Sequence, residues 1–157
     1  MASAKAVDGC FGGEVPPLAS KLRDMYYHAH YIHSHIAHFY ALAAPDFVCG
    51  PGCDPAQRNI LGVVHKVGLE IGSQVIECRM RNHHVIKMLG GRGVHPVAGM
   101  PGGWSRSINE EERQEIEAIA RQNVDFALFS LQLFDDLVLG NHGLNSRLRA
   151  SDQKPLT

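Results

Sequence analysis

The chain has 157 residues, with 15 Lys and Arg against 16 Asp and Glu, so its formal net charge is −1 with its 10 histidines neutral. This balance argues against nucleic-acid binding, because no excess of basic side chains is available to cover a face. With 45% apolar and 20% charged residues, the composition is that of a globular protein. No run approaches the roughly 20 apolar residues of a membrane span, and the length favours one domain.

The N-terminal residues do not predict export by a signal of this chain, and the cysteines favour the expected cytoplasmic location. Met1 to Lys5 are not followed by the apolar core of an export signal. The four cysteines are too few and too scattered for a disulfide framework, so reduced thiols are expected. The spacing of Cys49 and Cys53, without a second cysteine pair, is only a weak zinc signal. The four are Cys10, Cys49, Cys53 and Cys78.

The first predicted helix runs from about Pro17 to Ala44. Apolar residues recur there at spacings of four and three, which is typical of a helix with one buried face. Pro45 lies just beyond the last of them, where a helix should end. The predicted core positions are Leu18, Leu22, Met25, Ala29, Ile32, Ile36, Phe39 and Ala43.

A second helix is predicted to begin at Asp54, with Asp54 as its cap, Pro55 in the first turn and Gln57 completing a capping box. Three glycines in its interior should weaken it, and we expect them to allow the close approach of a neighbouring helix. These glycines are Gly62, Gly68 and Gly72. The apolar face is predicted to comprise Ile60, Val64, Val67, Ile71, Val75 and Cys78.

Residues 90–103 hold six glycines and two prolines, which predicts turns and short extended pieces instead of a continuous helix. A third helix follows, with Ser107 and Glu110 as its predicted capping box. It should end at the glycines 140 and 143. Its predicted apolar positions are Ile116, Ile119, Val124, Ala127, Leu128, Leu131, Phe134 and Val138. The expected fold is therefore mainly all-α, with three long helices and an irregular Gly/Pro-rich loop, and residues 149–157 as a polar tail.

Five of the histidines lie between His28 and His38. On a helical wheel His28, His35 and His38 share one side, and histidines at such spacings can share a metal ion. The same pattern is also typical of partly buried, hydrogen-bonded histidines. Spacing alone does not decide between these two interpretations.

Three motifs together resemble the large, catalytic subunit of nickel–iron hydrogenases. They are the H-x-x-HFY helix at residues 35–40 with the acidic turn at Pro45 and Asp46, the GGRGVHPV loop at residues 90–97, and the PGGW segment at residues 101–104. They occur in the family's order and approximate spacing. The resemblance implies that residues 1–148 form the central part of such a subunit, about a third of its full length.

The resemblance implies a Ni–Fe centre in the complete enzyme, held by four thiolates from two C-x-x-C pairs. Neither pair occurs here, and the four cysteines present are not assigned as ligands. No metal ligand is therefore predicted in this chain, and the chain alone is expected to be inactive. The implied partners are the remaining parts of the large subunit, together with an iron–sulfur small subunit.

By the same resemblance, Asp46, His38 and His95 are candidate catalytic residues in the shell around the site. Asp46 resembles an acid that lies over the bimetallic centre and orients an arginine, with an exposed helix-terminal Asp as the alternative. A structural hydrogen bond is the alternative for His38, and anchoring of the loop is the alternative for His95. Arg92 is a candidate cofactor-binding residue that could instead hold the loop. Trp104 is expected to pack in the core or at a subunit interface.

Three hypotheses of function follow. The first is a piece of a hydrogenase catalytic subunit, which takes part in the reversible oxidation of H2 to protons and electrons. The second is a stand-alone helical module that binds a metal or haem through His28, His35 and His38. The third is a split-gene product that assembles with separately encoded, cysteine-bearing pieces.

Overall fold

The computed structural model describes residues 2–50 and 52–140. It is mainly helical, which confirms the predicted fold class. The helices are α1 (Ala2–Phe11), α2 (Pro17–Ala37), α3 (Ile60–Val67), α4 (Leu69–Gly90) and α5 (Glu110–Phe134). Two-residue strands β1 (Gly99–Met100) and β2 (Gly103–Trp104) pair antiparallel, and three π-helical segments are π1 (His38–Ala43), π2 (Pro45–Cys49) and π3 (Asp135–Leu139). The predicted polar tail at 149–157 lies outside the described residues.

The described residues form two compact units. The first comprises residues up to Ile36 together with Ile76–Arg121, and the second comprises Ala37–Val75 together with the described residues from Gln122 onward. No helix among residues 2–50 and 52–140 is both long enough and apolar enough to cross a bilayer.

The core of the first unit is formed by apolar side chains of α2, α4 and α5. They are Leu22, Tyr26, Ala29, Val85, Ile86, Met88, Leu89, Ile116 and Ile119. The apolar periodicity of α2 therefore selects the buried side correctly over most of its length. Leu18 is the exception, because it lies in the first turn of α2 and is 67% exposed. Helix α1, which precedes this core, was not predicted.

The predicted start of the second helix is wrong. Asp54 instead closes a turn, in which its Oδ1 accepts from the N–H of Ala56 at 2.9 Å. Helix α3 begins at Ile60, and its cap is Asn59, whose side-chain oxygen accepts from the N–H groups of Leu61 and Gly62.

The predicted single helix is also divided in two, because Gly68 takes φ +96° and separates α3 from α4. A side chain at Gly68 would meet nothing within 4 Å, so this glycine serves the backbone bend and not the close approach of a helix. At Gly62 the close neighbour is the carbonyl of Gln57, from the preceding turn. At Gly72 the neighbour is only Val64, at an ordinary contact distance of 3.6 Å.

The third predicted helix exists as α5, but its cap lies two residues further along the chain. Asn109 Oδ1 accepts from the N–H of Glu112 at 2.8 Å, and Glu112 accepts from the N–H of Asn109 at 3.0 Å. This reciprocal pair is a capping box. Four predicted apolar positions of α5 are instead exposed: Val124, Ala127, Leu128 and Leu131.

In the second unit, the π-helical segments and α3 are joined by aromatic side chains and short apolar ones. Phe134 lies 6.0 Å from the ring of Phe39 and 6.2 Å from the ring of Phe47. Tyr40 is buried, and its hydroxyl shares a hydrogen bond of 2.7 Å with Ser130. Val63 and Val138 are both 3% exposed, which places α3 and π3 in this unit's interior.

Candidate functional site

The glycine-rich loop after α4 is held close to the helices of the first unit. The carbonyl of Gly90 accepts from the N–H groups of Val97 and Ala98, at 2.9 and 3.2 Å. A Cβ at Gly90 would lie 2.8 Å from the ring of Tyr26, and a Cβ at Gly93 would collide with His83 Nε2. A side chain at either position would have to displace its neighbour, so both glycines help to set the path of the loop.

The far end of the loop, with the β1–β2 hairpin, is fixed by an ion pair. Arg23, which is 4% exposed, donates to the Asp8 carboxylate and to the carbonyls of Met100 and Gly103, at 2.8 and 2.9 Å. Asp8 also accepts from the N–H of Gly102 at 2.7 Å. The hydrogen bond from Arg23, followed by that from Gly102, holds the pKa of Asp8 below its usual value. The ion pair thus connects α1, α2 and the hairpin.

This loop and helices α2 and α4 enclose a cavity of about 740 Å³, which we call the histidine cavity. Its lining includes four imidazole side chains, those of His30, His33, His83 and His95, together with Tyr26, Tyr27 and Tyr31. Its volume is within the range usual for small-molecule sites. The imidazoles provide hydrogen-bonding groups, and the tyrosine rings provide apolar walls.

His95 has φ +54° and is the non-glycine residue with positive φ among the described residues. This left-handed conformation is uncommon for a residue with a side chain, and such outliers cluster at functional sites. His95 is exposed and lines the histidine cavity, so its ring is accessible from solvent. Arg92, in the same loop, is exposed and does not line that cavity.

His33 is fixed in one tautomer by a single neighbour, Arg79. Its Nδ1 lies 3.1 Å from the carbonyl of Arg79 and its Nε2 lies 3.1 Å from Arg79 Nη2. Because guanidinium can only donate, Nε2 must accept and Nδ1–H must donate to the carbonyl. The imidazole is therefore neutral in this arrangement. Burial, opposed in part by that backbone hydrogen bond, lowers the pKa of His33.

His38 and Asp46 lie in the second unit, each in a π-helical segment. His38 begins π1, is exposed, and borders an apolar cavity of about 220 Å³ that Phe39 and Phe134 also line. Asp46 is in π2, with its side chain 68% exposed, and its Oδ1 lies 3.6 Å from Arg58 Nε. An exposed ion pair of this length contributes little to stability. Asp46 therefore has no evident structural role within the described part of this unit.

The cysteines do not fit a Ni–Fe centre. Cys10 is exposed, whereas Cys78 is buried and accepts from the side chain of Asn82 at 3.6 Å. Burial raises the pKa of Cys78, which disfavours the thiolate that a metal needs. Cys49 and Cys53 line one hollow, with His65 also in its wall. Over residues 2–50 and 52–140, no three His, Cys, Asp or Glu side chains converge as a metal-binding group.

The histidines on the exposed side of α2 do not converge either. The Nδ1 atoms of His28 and His35 each lie within 3 Å of the carbonyl four residues earlier, at 2.7 and 2.9 Å. The ring of His35 stacks on Tyr31 at 5.0 Å, and the hydroxyl of Tyr31 is 2.7 Å from that of Tyr27. His28 and His35 thus have local partners, and the described part of the chain holds no metal group that includes them or His38.

The sequence of this chain is similar to sequences of known hydrogenase subunits. A family model described as nickel-dependent hydrogenase matches residues 1–51. An iron-sulfur subunit of the F420-non-reducing hydrogenase of Archaeoglobus profundus is 48% identical over 143 residues, which cover 91% of this chain and 29% of that protein. The chain is similar to one part of a nickel-dependent hydrogenase.

Two further comparisons agree with this similarity. The vhu F420-non-reducing hydrogenase of Methanocaldococcus jannaschii has a subunit that is 43% identical over 87% of this chain and 32% of that protein. A crystal structure of an NAD+-reducing [NiFe]-hydrogenase in the H2-reduced state superposes with a TM-score of 0.79 and 31% identity, over 90% of this chain and 31% of the other. The hydrogenase-like chain spans about three-tenths of the length of these relatives. The resemblance expected from the HFY and HPV motifs agrees with these similarities to nickel-dependent hydrogenases.

The structure also shows contacts near the candidate site between residues that the sequence did not indicate. His83 and Arg79 meet His33 across 46 to 50 positions of sequence, and the rings of His33 and His83 are 5.5 Å apart. Arg23 and Asp8, which fix the hairpin, were likewise not predicted. No local pattern signals such long-range pairs. The roles expected of Asp46, His38, His95 and Arg92 stay predictions.

Proposed function

We propose that this chain is part of the catalytic subunit of a nickel–iron hydrogenase and contributes to the reversible oxidation of H2 to protons and electrons. The observation that carries the proposal is the combined match in sequence and fold to a [NiFe]-hydrogenase over 90% of the chain. In this proposal the thiolate ligands of the Ni–Fe centre come from other polypeptide segments, because among the described residues no three His, Cys, Asp or Glu side chains converge and neither C-x-x-C pair occurs in the sequence.

The contribution of this chain is then its helical scaffold together with acid and imidazole groups near the site. Asp46 and His38 lie in π-helical segments, which occur frequently at functional sites. His95 lies in a strained backbone conformation on a loop that is anchored at both ends. Each is exposed in this chain, as expected of groups that face another part of a larger subunit. Arg92 is also exposed, and in this proposal it contacts the part of the subunit that carries the cofactor.

The proposed partners are the segments of the large subunit that carry the C-x-x-C pairs, together with an iron–sulfur small subunit. The relatives are themselves named as subunits, which supports assembly. The expected cytoplasmic location stays a prediction. Electrons from H2 would leave through the iron–sulfur partner.

The first test measures the 157-residue chain by itself. We expect no stoichiometric nickel by metal analysis and no reduction of a dye acceptor under H2. The chain is then co-produced with polypeptides that carry both C-x-x-C pairs and with an iron–sulfur subunit. We expect a stable complex that takes up H2. Stoichiometric, tightly held nickel in the lone chain would contradict the proposed division of ligands.

The second test separates a role of Asp46 in the site from a structural one. In the assembled complex, Asp46→Asn should lower H2 uptake about tenfold or more, as expected when a positioned acid or base is lost, while the nickel content and the melting temperature stay unchanged. Asp24→Asn, at an exposed carboxylate of α2, is the matched control and should keep full activity. Equal activity of the two variants would remove Asp46 from the site.

A further inference from the structure

One side of α4 in the first unit carries a concentration of nitrogen-bearing side chains around an open hollow of about 420 Å³. We call it the basic hollow, and it is lined by His33, Arg79, His83, His84 and Lys87. The side chains of Ile76 and Met80, 61% and 66% exposed, form its apolar flank. Neither Asp46 nor His38 lines it, since both belong to the second unit.

The basic side chains of the hollow lie on one side of α4. Arg79, His83 and Lys87 follow at four-residue intervals, so their side chains lie one above the other on the same side of the helix. No carboxylate is among the lining residues in the described part of the chain. Glu115 of α5 contacts one lining residue from outside, with its Oε1 3.0 Å from His84 Nε2. Among the described residues, Arg79 and Lys87 therefore have no acidic counterpart in the hollow.

Arg79 also has hydrogen-bonding capacity that its described neighbours do not use. Its Nη2 donates to His33, whereas its Nε is buried and has no acceptor among the described residues. Because that Nε is not accessible to solvent, a ligand in the hollow would contact Arg79 through the terminal nitrogens of its guanidinium. The planar guanidinium matches the paired oxygens of a carboxylate or phosphate, and the lysine adds a compact charge.

We propose that the basic hollow binds an oxyanion, through Arg79 and Lys87. The chemistry is common to inorganic phosphate and to a carboxylate. The flanking Ile76 and Met80 leave room for the apolar part of a carboxylate-bearing ligand, whereas phosphate would use the cationic groups alone. This inference does not depend on the proposed hydrogenase function.

The test is an NMR titration of the full chain, in which the imidazole resonances of His33, His83 and His84 are followed as ligand is added. Inorganic phosphate is used in one arm and glutarate in the other, at constant pH and ionic strength so that general screening does not change. We expect saturable shifts in at least one arm, and the tighter arm identifies the source of the oxyanion. Shifts that stay linear in both arms would overturn the proposal.

Three variants make the test specific. Arg79→Gln and Lys87→Gln should each weaken binding about tenfold or more, as expected for the loss of a charge-assisted hydrogen bond. Lys87 is exposed, so its variant retains the fold even if Arg79→Gln does not. Arg121→Gln removes one positive charge from an exposed position on α5 and should bind as the wild type does. Equal weakening by Arg121→Gln and Lys87→Gln would show a general charge effect and overturn the proposed site.

Discussion

Replacing Arg23 with methionine tests the polar contact that joins α1, α2 and the hairpin. Methionine has a similar length but provides no donor, so the Asp8 carboxylate and the carbonyls of Met100 and Gly103 would each lose a hydrogen bond. Because Arg23 is only 4% exposed, water does not readily replace it. Removal of one member of a buried ion pair typically lowers the free energy of unfolding by about 3–5 kcal/mol. We expect Arg23→Met to fall in this range.

Urea denaturation followed by tryptophan fluorescence measures this loss directly. Trp104 is the single tryptophan of the chain, lies in β2 beside the contact, and donates through Nε1 to the carbonyl of Leu89 at 3.1 Å. For a urea m-value of about 2 kcal/mol per molar, the midpoint should fall by about 2 M. Arg121→Met, at a side chain 77% exposed, is the control and should change stability by no more than about 0.5 kcal/mol. Equal midpoints for the two variants would refute the reasoning.

The same ion pair predicts a dependence on pH. Because the folded-state pKa of Asp8 is lowered, chiefly by the hydrogen bond from Arg23, the unfolded chain binds the proton more readily. The stabilisation by Asp8 is therefore present above its unfolded pKa of about 3.9, and it is lost as the pH falls through the lower folded value. Arg23→Met removes the main cause of the shift, so the variant should lose less additional stability than the wild type over this acidic range.

Three further predictions concern single positions. Gly68→Ala should lower the free energy of unfolding by about 1–3 kcal/mol, because φ at this position is +96°. Gly72→Ala, inside α4, should raise the free energy of unfolding by about 0.5–1 kcal/mol. Urea midpoints measure both changes. Asn109→Ala should lower the free energy of unfolding by about 1 kcal/mol, and Ser107→Ala should leave it unchanged. The opposite result would indicate that Ser107 is the N-cap of α5. Since the pKa of His33 is lowered, stability should decline as the pH falls below about 6.5, and His33→Gln should make that part of the melting-temperature profile flatter.

The capping boxes show where local sequence stops being sufficient. Ser107 with Glu110 and Asn109 with Glu112 both have the spacing of a capping box, so the pattern alone allows either start of α5. In the structure Glu112 also accepts from Arg106 Nη2 at 2.8 Å, whereas Glu110 pairs with Arg113. These additional partners favour the later start.

The candidate site is likewise only partly predictable from the sequence. The clustering of glycine and proline was sufficient to predict the irregular loop with short extended pieces. The HPV motif indicated His95 as a candidate site residue. The histidine cavity was not predictable, because its walls come from α2, α4 and the loop, which are far apart in sequence. The positive φ of His95 and the contact of Gly93 with His83 likewise exist only after the helices have packed.

Helix α5 gives the clearest physical reason for the errors in burial. Its buried positions are Ile116, Ile119, Asn123 and Phe126, at spacings of three, four and three. A second apolar stripe, displaced by one position, contains Val124, Leu128 and Leu131, which are 58–65% exposed. Asn123 interrupts the first stripe with a polar residue, so a pattern of apolar residues passes from the first stripe to the second at this point. Periodicity thus identifies both stripes, but only tertiary packing selects the buried one. The exposed stripe is an apolar surface of the kind expected if further polypeptide covers it in a larger subunit.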